Sequence, residues 1–133
     1  YYFSVFKNGS KVHQVSRYGD SGPGQPGQVM VMTFELGGQP FMALNGGLQY
    51  KFTPAVSFMI DCKTQEEVDH FWDKLSAVPK SEQCGWVKDR YGVSWQIIPA
   101  NMGELMSKNP TKTTPAMLKM KKINIEELRK AGE

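Results

Sequence analysis

Histidine and cysteine are scarce in this chain, with two of each in 133 residues. Cys62 and Cys84 lie far apart with no short metal-ligand spacing between them. Neither a zinc module nor a disulfide framework is therefore expected. No apolar run reaches the roughly 18 residues that a membrane-spanning helix needs, and no signal-peptide pattern is present. The expected setting is the reducing cytoplasm, without a membrane partner. Charge of one sign is lacking over most of the length. Residues 1–107 hold nine basic and ten acidic side chains (net −1), whereas residues 108–133 hold seven and three (net +4). No aromatic platform accompanies those tail lysines, so a solvated helix face is the expected reading and nucleic acid is not the expected partner.

What is present is ordinary for a globular protein: 40% hydrophobic and 22% charged residues, enough for one domain or two small modules. Tyr1–Phe6 reads as the end of a helix closed by Asn8-Gly9. Lys11–Tyr18 alternates, with Val12 and Gln14 on one side and His13 and Val15 on the other. The glycine- and proline-rich stretch 19–28 is a loop, either a rim or lid element or a plain surface connection. Val29–Leu36 is the clearest strand, with Met30, Met32, Phe34 and Leu36 on one face. Gly37-Gly38 turns the chain into Gln39–Leu44, and Pro54–Asp61 reads as a further strand.

Thr64 followed by Glu67 forms a capping box for a helix over Thr64–Ser76. Its stripe is Val68, Phe71, Trp72 and Leu75, at helical spacing. Residues 84–99 read as strand, tight turn and strand, with Gly92 and Asp89 in the turn. Val93, Trp95 and Ile97 share one face of the last strand; Ser94, Gln96 and Ile98 share the other. Short tail helices are expected over Met102–Met106, from Thr114 with Pro115 in its first turn, and over Asn124–Lys130. Helices mixed with antiparallel strands predict an α+β fold.

Three segments, Cys84–Pro99, Phe41–Gly47 and Phe58–Cys62, resemble the PhnB-like branch of the glyoxalase/bleomycin-resistance (vicinal oxygen chelate) superfamily. That branch commonly carries the label 3-demethylubiquinone-9 3-methyltransferase. The similarity runs over nearly the whole chain, including Ala116–Ile123. It implies one glyoxalase-like domain over residues 1–133, built of two βαβββ modules with curved antiparallel sheets. Module one is 1–52, module two 53–99, and a helical tail follows over 100–133. The resemblance also implies a ligand cleft, a homodimer, and a strand with the first part of a helix upstream of Tyr1.

Small or polar side chains at Thr33, Ala43, Asn45, Ala55, Ser57, Ser94 and Gln96 leave room on the sheets for a ligand or for packing. The resemblance favours a cavity holding a small organic molecule. Asn45, Ser57, Ser94 and Gln96 are its expected lining, with Trp86 and Trp95 as walls. Metal-dependent relatives place His, Gln or Glu at matched strand positions. Gln96 falls where they carry Glu and Ala55 where they carry His, so the usual metal site reads as degraded. His13 and His70 do not replace it. No metal, no cofactor and no catalytic residue is therefore assigned.

A metal-dependent lyase or isomerase using Gln96 is the alternative. A third possibility is a partner-docking tail carrying Met117, Met120, Lys119, Lys121 and Lys122, although Met at those spacings is more often core packing. The methyltransferase label lacks a matching motif. Gly19–Gly27 joins two strand patterns and opens no helix, unlike a nucleotide-cofactor turn.

Overall fold

In the computed structural model, which describes all residues 1–133, the alternation of Val29–Leu36 becomes the centre of a three-stranded sheet. This sheet belongs to the first of two units, Tyr1–Lys51 and Phe52–Glu133. Its strands β1 (Lys11–Arg17), β2 (Val29–Leu36) and β3 (Gln39–Leu44) are antiparallel in the order β1-β2-β3. Helix α1 (Tyr2–Val5) lies on the methionine–phenylalanine face of β2. The Phe3 ring sits 6.4 Å from Phe34, which stacks at 5.7 Å on Phe41.

The pairing of β1 with β2 is irregular at two places, between Ser16 and Arg17 and, with consequence for the faces, at His13. Register steps from Val12↔Phe34 to Gln14↔Thr33, leaving His13 in a bulge with its Nε2 3.0 Å from Glu35 Oε2. Val12 and Val15 therefore share the face of Phe34 and Met32, and Gln14 goes to the other.

The 19–28 loop is anchored. Tyr18 N–H donates to Gln28 O and Gly27 N–H to Tyr18 O, extending the hairpin ladder past the ends of β1 and β2. The loop then presses on the buried Tyr18 ring, and a Cβ at Gly24 would lie 2.3 Å from that ring. Glycine is required there by close approach.

In the second unit, strand β4 (Phe58–Cys62) starts four residues later than the sequence pattern suggests. Pro54 follows Thr53, whose hydroxyl and carbonyl accept from Ala55 N–H and Val56 N–H, so residues 53–56 form a turn. The capping box holds for α2 (Gln65–Leu75). Thr64 Oγ1 accepts Glu67 N–H at 3.2 Å, and the Glu67 carboxylate takes Lys63 N–H at 2.6 Å.

Strands β5 (Trp86–Lys88) and β6 (Ser94–Pro99) complete a sheet ordered β4-β6-β5. Here β4 runs parallel to β6. The helix between them supplies the long crossover that a parallel pair needs, so this sheet is mixed where the first is purely antiparallel. Helix α2 packs on β6, and Ile60, Cys62, Val68, Leu75, Val87, Trp95 and Ile97 form the buried layer. Each such side chain contributes about 1.5–3 kcal/mol by leaving water.

The tail folds as α3 (Met102–Ser107), α4 (Pro110–Leu118) and α5 (Ile125–Ala131). Helix α4 begins a turn earlier than expected and holds Pro115 inside it, because Pro110 takes the first-turn position instead. Leu105, Met120, Ile123 and Leu128 make a buried cluster with Met117 packed against it, so the methionines serve this unit's own core. The tail charges are largely paired with one another or nearby. Lys122 Nζ lies 2.9 Å from Asp69, and Arg129 holds the Glu126 carboxyl down to about 2. No helix is long and apolar enough to cross a membrane.

Candidate functional site

The hairpin of β5 and β6 builds the candidate surface from cross-strand pairs. Trp86 faces Gln96, and Lys88 faces Ser94. On the other side of β6, Met59 pairs with Gln96. Residues opposite one another in a ladder share a face, so Trp86, Lys88, Met59, Ser94 and Gln96 lie together. Ser57, two residues before Met59, joins them: Gln96 Nε2 donates to Ser57 Oγ at 2.9 Å. This is the face away from α2, and Met59 on it is exposed.

The polar groups there are only partly used. Ser57 Oγ accepts from Gln96, which leaves its O–H to donate, and Gln96 Oε1 remains as an acceptor. Ser94 is 3% exposed and its hydroxyl makes no hydrogen bond within the chain. No buried side-chain oxygen or nitrogen goes unpaired, so solvent reaches that hydroxyl.

Trp95 does not belong to this group. It pairs with Phe58 and Val87 on the α2 side, is 4% exposed, and stands 5.3 Å from the Phe58 ring. Its indole Nε1–H donates to Asp89 Oδ2 at 2.9 Å. Asp89 Oδ1 accepts from Tyr91 N–H at 2.8 Å and Val93 N–H at 3.1 Å. This buried carboxylate is therefore spent on shaping the hairpin turn rather than on acid–base work.

In the first unit, Asn45 lies just past β3 and works as a strand extension. Its Nδ2 donates to Val29 O at 3.2 Å, its N–H to Met30 O, and its carbonyl accepts from the Tyr18 hydroxyl. Thr33 and Ala43 fall on opposite faces of the first sheet, since Thr33 pairs with Met42 and Ala43 with Met32. Ala55 sits in the turn before β4, so Ser57 rather than Ala55 confronts Gln96.

No three His, Cys, Asp or Glu side chains gather where they could hold a metal ion. His70 packs edge-on against Phe71. Both thiols are free. Burial, then the charges of Glu67 and Asp61, push the Cys62 thiol up to about 12, which makes it inert. An open groove between the polar flank of α2 and the tail is lined by Gln65, Asp69, Lys119, Lys122, Asn124 and Glu127. Its opposite charges neutralise one another, as in the Lys122–Asp69 pair.

Sequence reasoning put Met59 on the face of Ser57 and missed Lys88 on the open face. Lys88 stands two residues after Trp86, so strand alternation alone could have placed it there.

The family model described as 3-demethylubiquinone-9 3-methyltransferase matches residues 1–98. A solved structure of a PhnB protein from Bacillus cereus shares 38% identity, covering 73% of this chain and 84% of that one, at a TM-score of 0.59. Among curated proteins none matches.

Proposed function

Because the chain belongs to the 3-demethylubiquinone-9 3-methyltransferase family, in its PhnB-like, glyoxalase-fold branch, we propose that it binds a small organic molecule on the open face of its second sheet. Ser57, Trp86, Ser94 and Gln96 are the proposed lining. Trp95 and Asn45 are left out, the first buried on the other face and the second occupied with Val29. The observation that carries the reading is the row of incompletely used polar groups beside a half-buried indole, on a face that α2 does not cover. Binding sites pair apolar walls with a few such convergent groups.

The reading includes no metal. A glyoxalase-type ion needs several hard or imidazole donors converging on it. Here the strand residue expected to contribute, Gln96, is a neutral amide tied to a serine, and Ala55 offers nothing. The methyl transfer in the family's description is not part of this reading either. Cofactor binding of that kind uses a glycine-rich turn from a strand into a helix. The glycine-rich stretch of this chain joins β1 to β2 and packs on Tyr18. Two free thiols support a cytoplasmic setting.

Two measurements test the reading. In a thermal-shift screen of small organic molecules, at least one hit raises the melting temperature. Ser57→Phe, which fills the face beside Gln96, abolishes that rise while the unliganded melting temperature stays close to wild type. Protein purified without chelator carries only substoichiometric divalent metal. Stoichiometric metal that is lost on Gln96→Ala would overturn the reading and put metal-dependent lyase or isomerase chemistry in its place.

The proposed assembly is a homodimer. Each unit exposes large apolar side chains of its own: Met42, Leu44, Leu48 and Tyr50 in the first, Phe52, Val56, Phe58 and Met59 in the second. Exposed apolar side chains in such numbers on each unit support an interaction surface. Sedimentation equilibrium should return twice the 15.0 kDa chain mass. A strictly monomeric protein at micromolar concentration rejects the assembly.

A further inference from the structure

Of the 16 lysines and arginines in the chain, Lys88 alone is half-buried. It makes no ion pair, whereas Lys11, Lys108, Lys121, Lys122, Arg129 and Lys130 each do. The neighbouring carboxylate is turned to the opposite side of the strand, where Asp89 accepts from the Trp95 indole. The Lys88 stem is held along the sheet, so its ammonium is kept over the open face and open to an anion from solution. Directly across the ladder stands Ser94, nine-tenths buried, with a hydroxyl that has no partner in the chain. Two donors, one of them charged, thus lie side by side with no acceptor from the chain, their hydrogen bonds left to solvent or to a ligand.

We propose that the open face of the second sheet takes a small, flat organic carboxylate, with its anionic end on Lys88 and Ser94 and its body against Trp86. This rests on the binding reading above and adds the charge of the ligand. The spacing sets its length. Ser94 and Gln96 are two residues apart on one strand, so the anionic end lies about 7 Å from the Gln96–Ser57 pair. That pair offers one donor and one acceptor for the far end of the molecule. The ammonium confers the preference for an anion, and the indole confers the preference for a flat one.

Benzoate and its neutral isostere benzamide are the probes, titrated at matched ionic strength. Chemical shifts of the Trp86 indole N–H and the Ser94 amide are the readout. Benzoate should shift both saturably, with benzamide about tenfold weaker or worse. Lys88→Met keeps the aliphatic stem and should reduce benzoate to the benzamide level, while Lys88→Arg restores most of it. Equal binding of the two probes, with Lys88→Met indifferent, overturns the anion preference and leaves the binding reading standing. Absence of any shift on this face from either probe overturns both.

Discussion

Removal of residues 108–133 is expected to unfold the Phe52–Glu133 unit. The deletion takes Met120, Ile123 and Leu128 out of the cluster they share with Leu105. Truncating one buried side chain of this size costs about 2–5 kcal/mol, and three together rival the 5–15 kcal/mol stability of a typical domain.

The loss also reaches the site. Gln83 and Trp86 bracket a two-residue hairpin turn, with N–H to carbonyl distances of 3.2 and 2.8 Å in the two directions. Its central residues, Cys84 and Gly85, have φ of +48° and +86°, the left-handed pair that matches strand twist. Their N–H groups donate to Met120 O at 3.0 Å and Lys121 O at 2.8 Å. A side chain at Gly85 would sit 2.9 Å from Ile97 O and 3.3 Å from Ile123, so glycine permits both the turn and the closeness. Gln65 adds a second tie, with Nε2 donating to Ile123 O and Oε1 accepting Ile125 N–H.

Circular dichroism melts of residues 1–107 should therefore show a lost or strongly lowered transition, and Ile123→Ala in the full chain should cost about 3 kcal/mol. An unchanged melt for residues 1–107 would mean that the tail is an appendage free to capture a partner, as the clustering of Met and Lys first suggested.

Asp89→Ala should be the most destabilising exchange of a single polar side chain, by about 3 kcal/mol or more. One buried carboxylate accepts from two backbone amides and one indole, and Asp89 is only 1% exposed. Alanine leaves all three donors without a partner, at about 1–3 kcal/mol for each that stays buried. Asp89→Asn keeps an acceptor for Tyr91 and Val93 but can turn an N–H toward the Trp95 indole N–H, so about half the loss is expected. Urea titration followed by tryptophan fluorescence measures both. A shift below about 1 kcal/mol for Asp89→Ala would show that water replaces the carboxylate, contrary to its burial.

The hairpin also shows how far sequence reasoning reached. The alternation of Ser94, Gln96 and Ile98 against Val93, Trp95 and Ile97 was sufficient to put Trp95 and Gln96 on opposite faces, and the structure does so. Naming Trp95 as a cleft wall contradicts that alternation, because the alternation puts Trp95 opposite Ser94 and Gln96. Lys88 was overlooked although its position followed from the same rule. Asp89 was recognised as a turn residue, but its bond to the Trp95 indole depends on how the turn folds back.

Local rules accordingly determined the α+β class, strands β2 and β3, the caps at Thr64 and Asn124, and the apolar stripe of α2. Each depends on neighbours two to four residues away, whose geometry the backbone alone dictates. Only the tertiary structure decided the bulge at His13, the late start of β4, its parallel pairing with β6 and the meeting of Ser57 with Gln96. The core role of the tail methionines, by contrast, follows the spacing of Met117 and Met120. The tertiary outcomes join residues as far as 39 positions apart. They are settled by which register buries the most apolar surface while leaving the fewest polar groups unpaired, a comparison that no short window of residues contains.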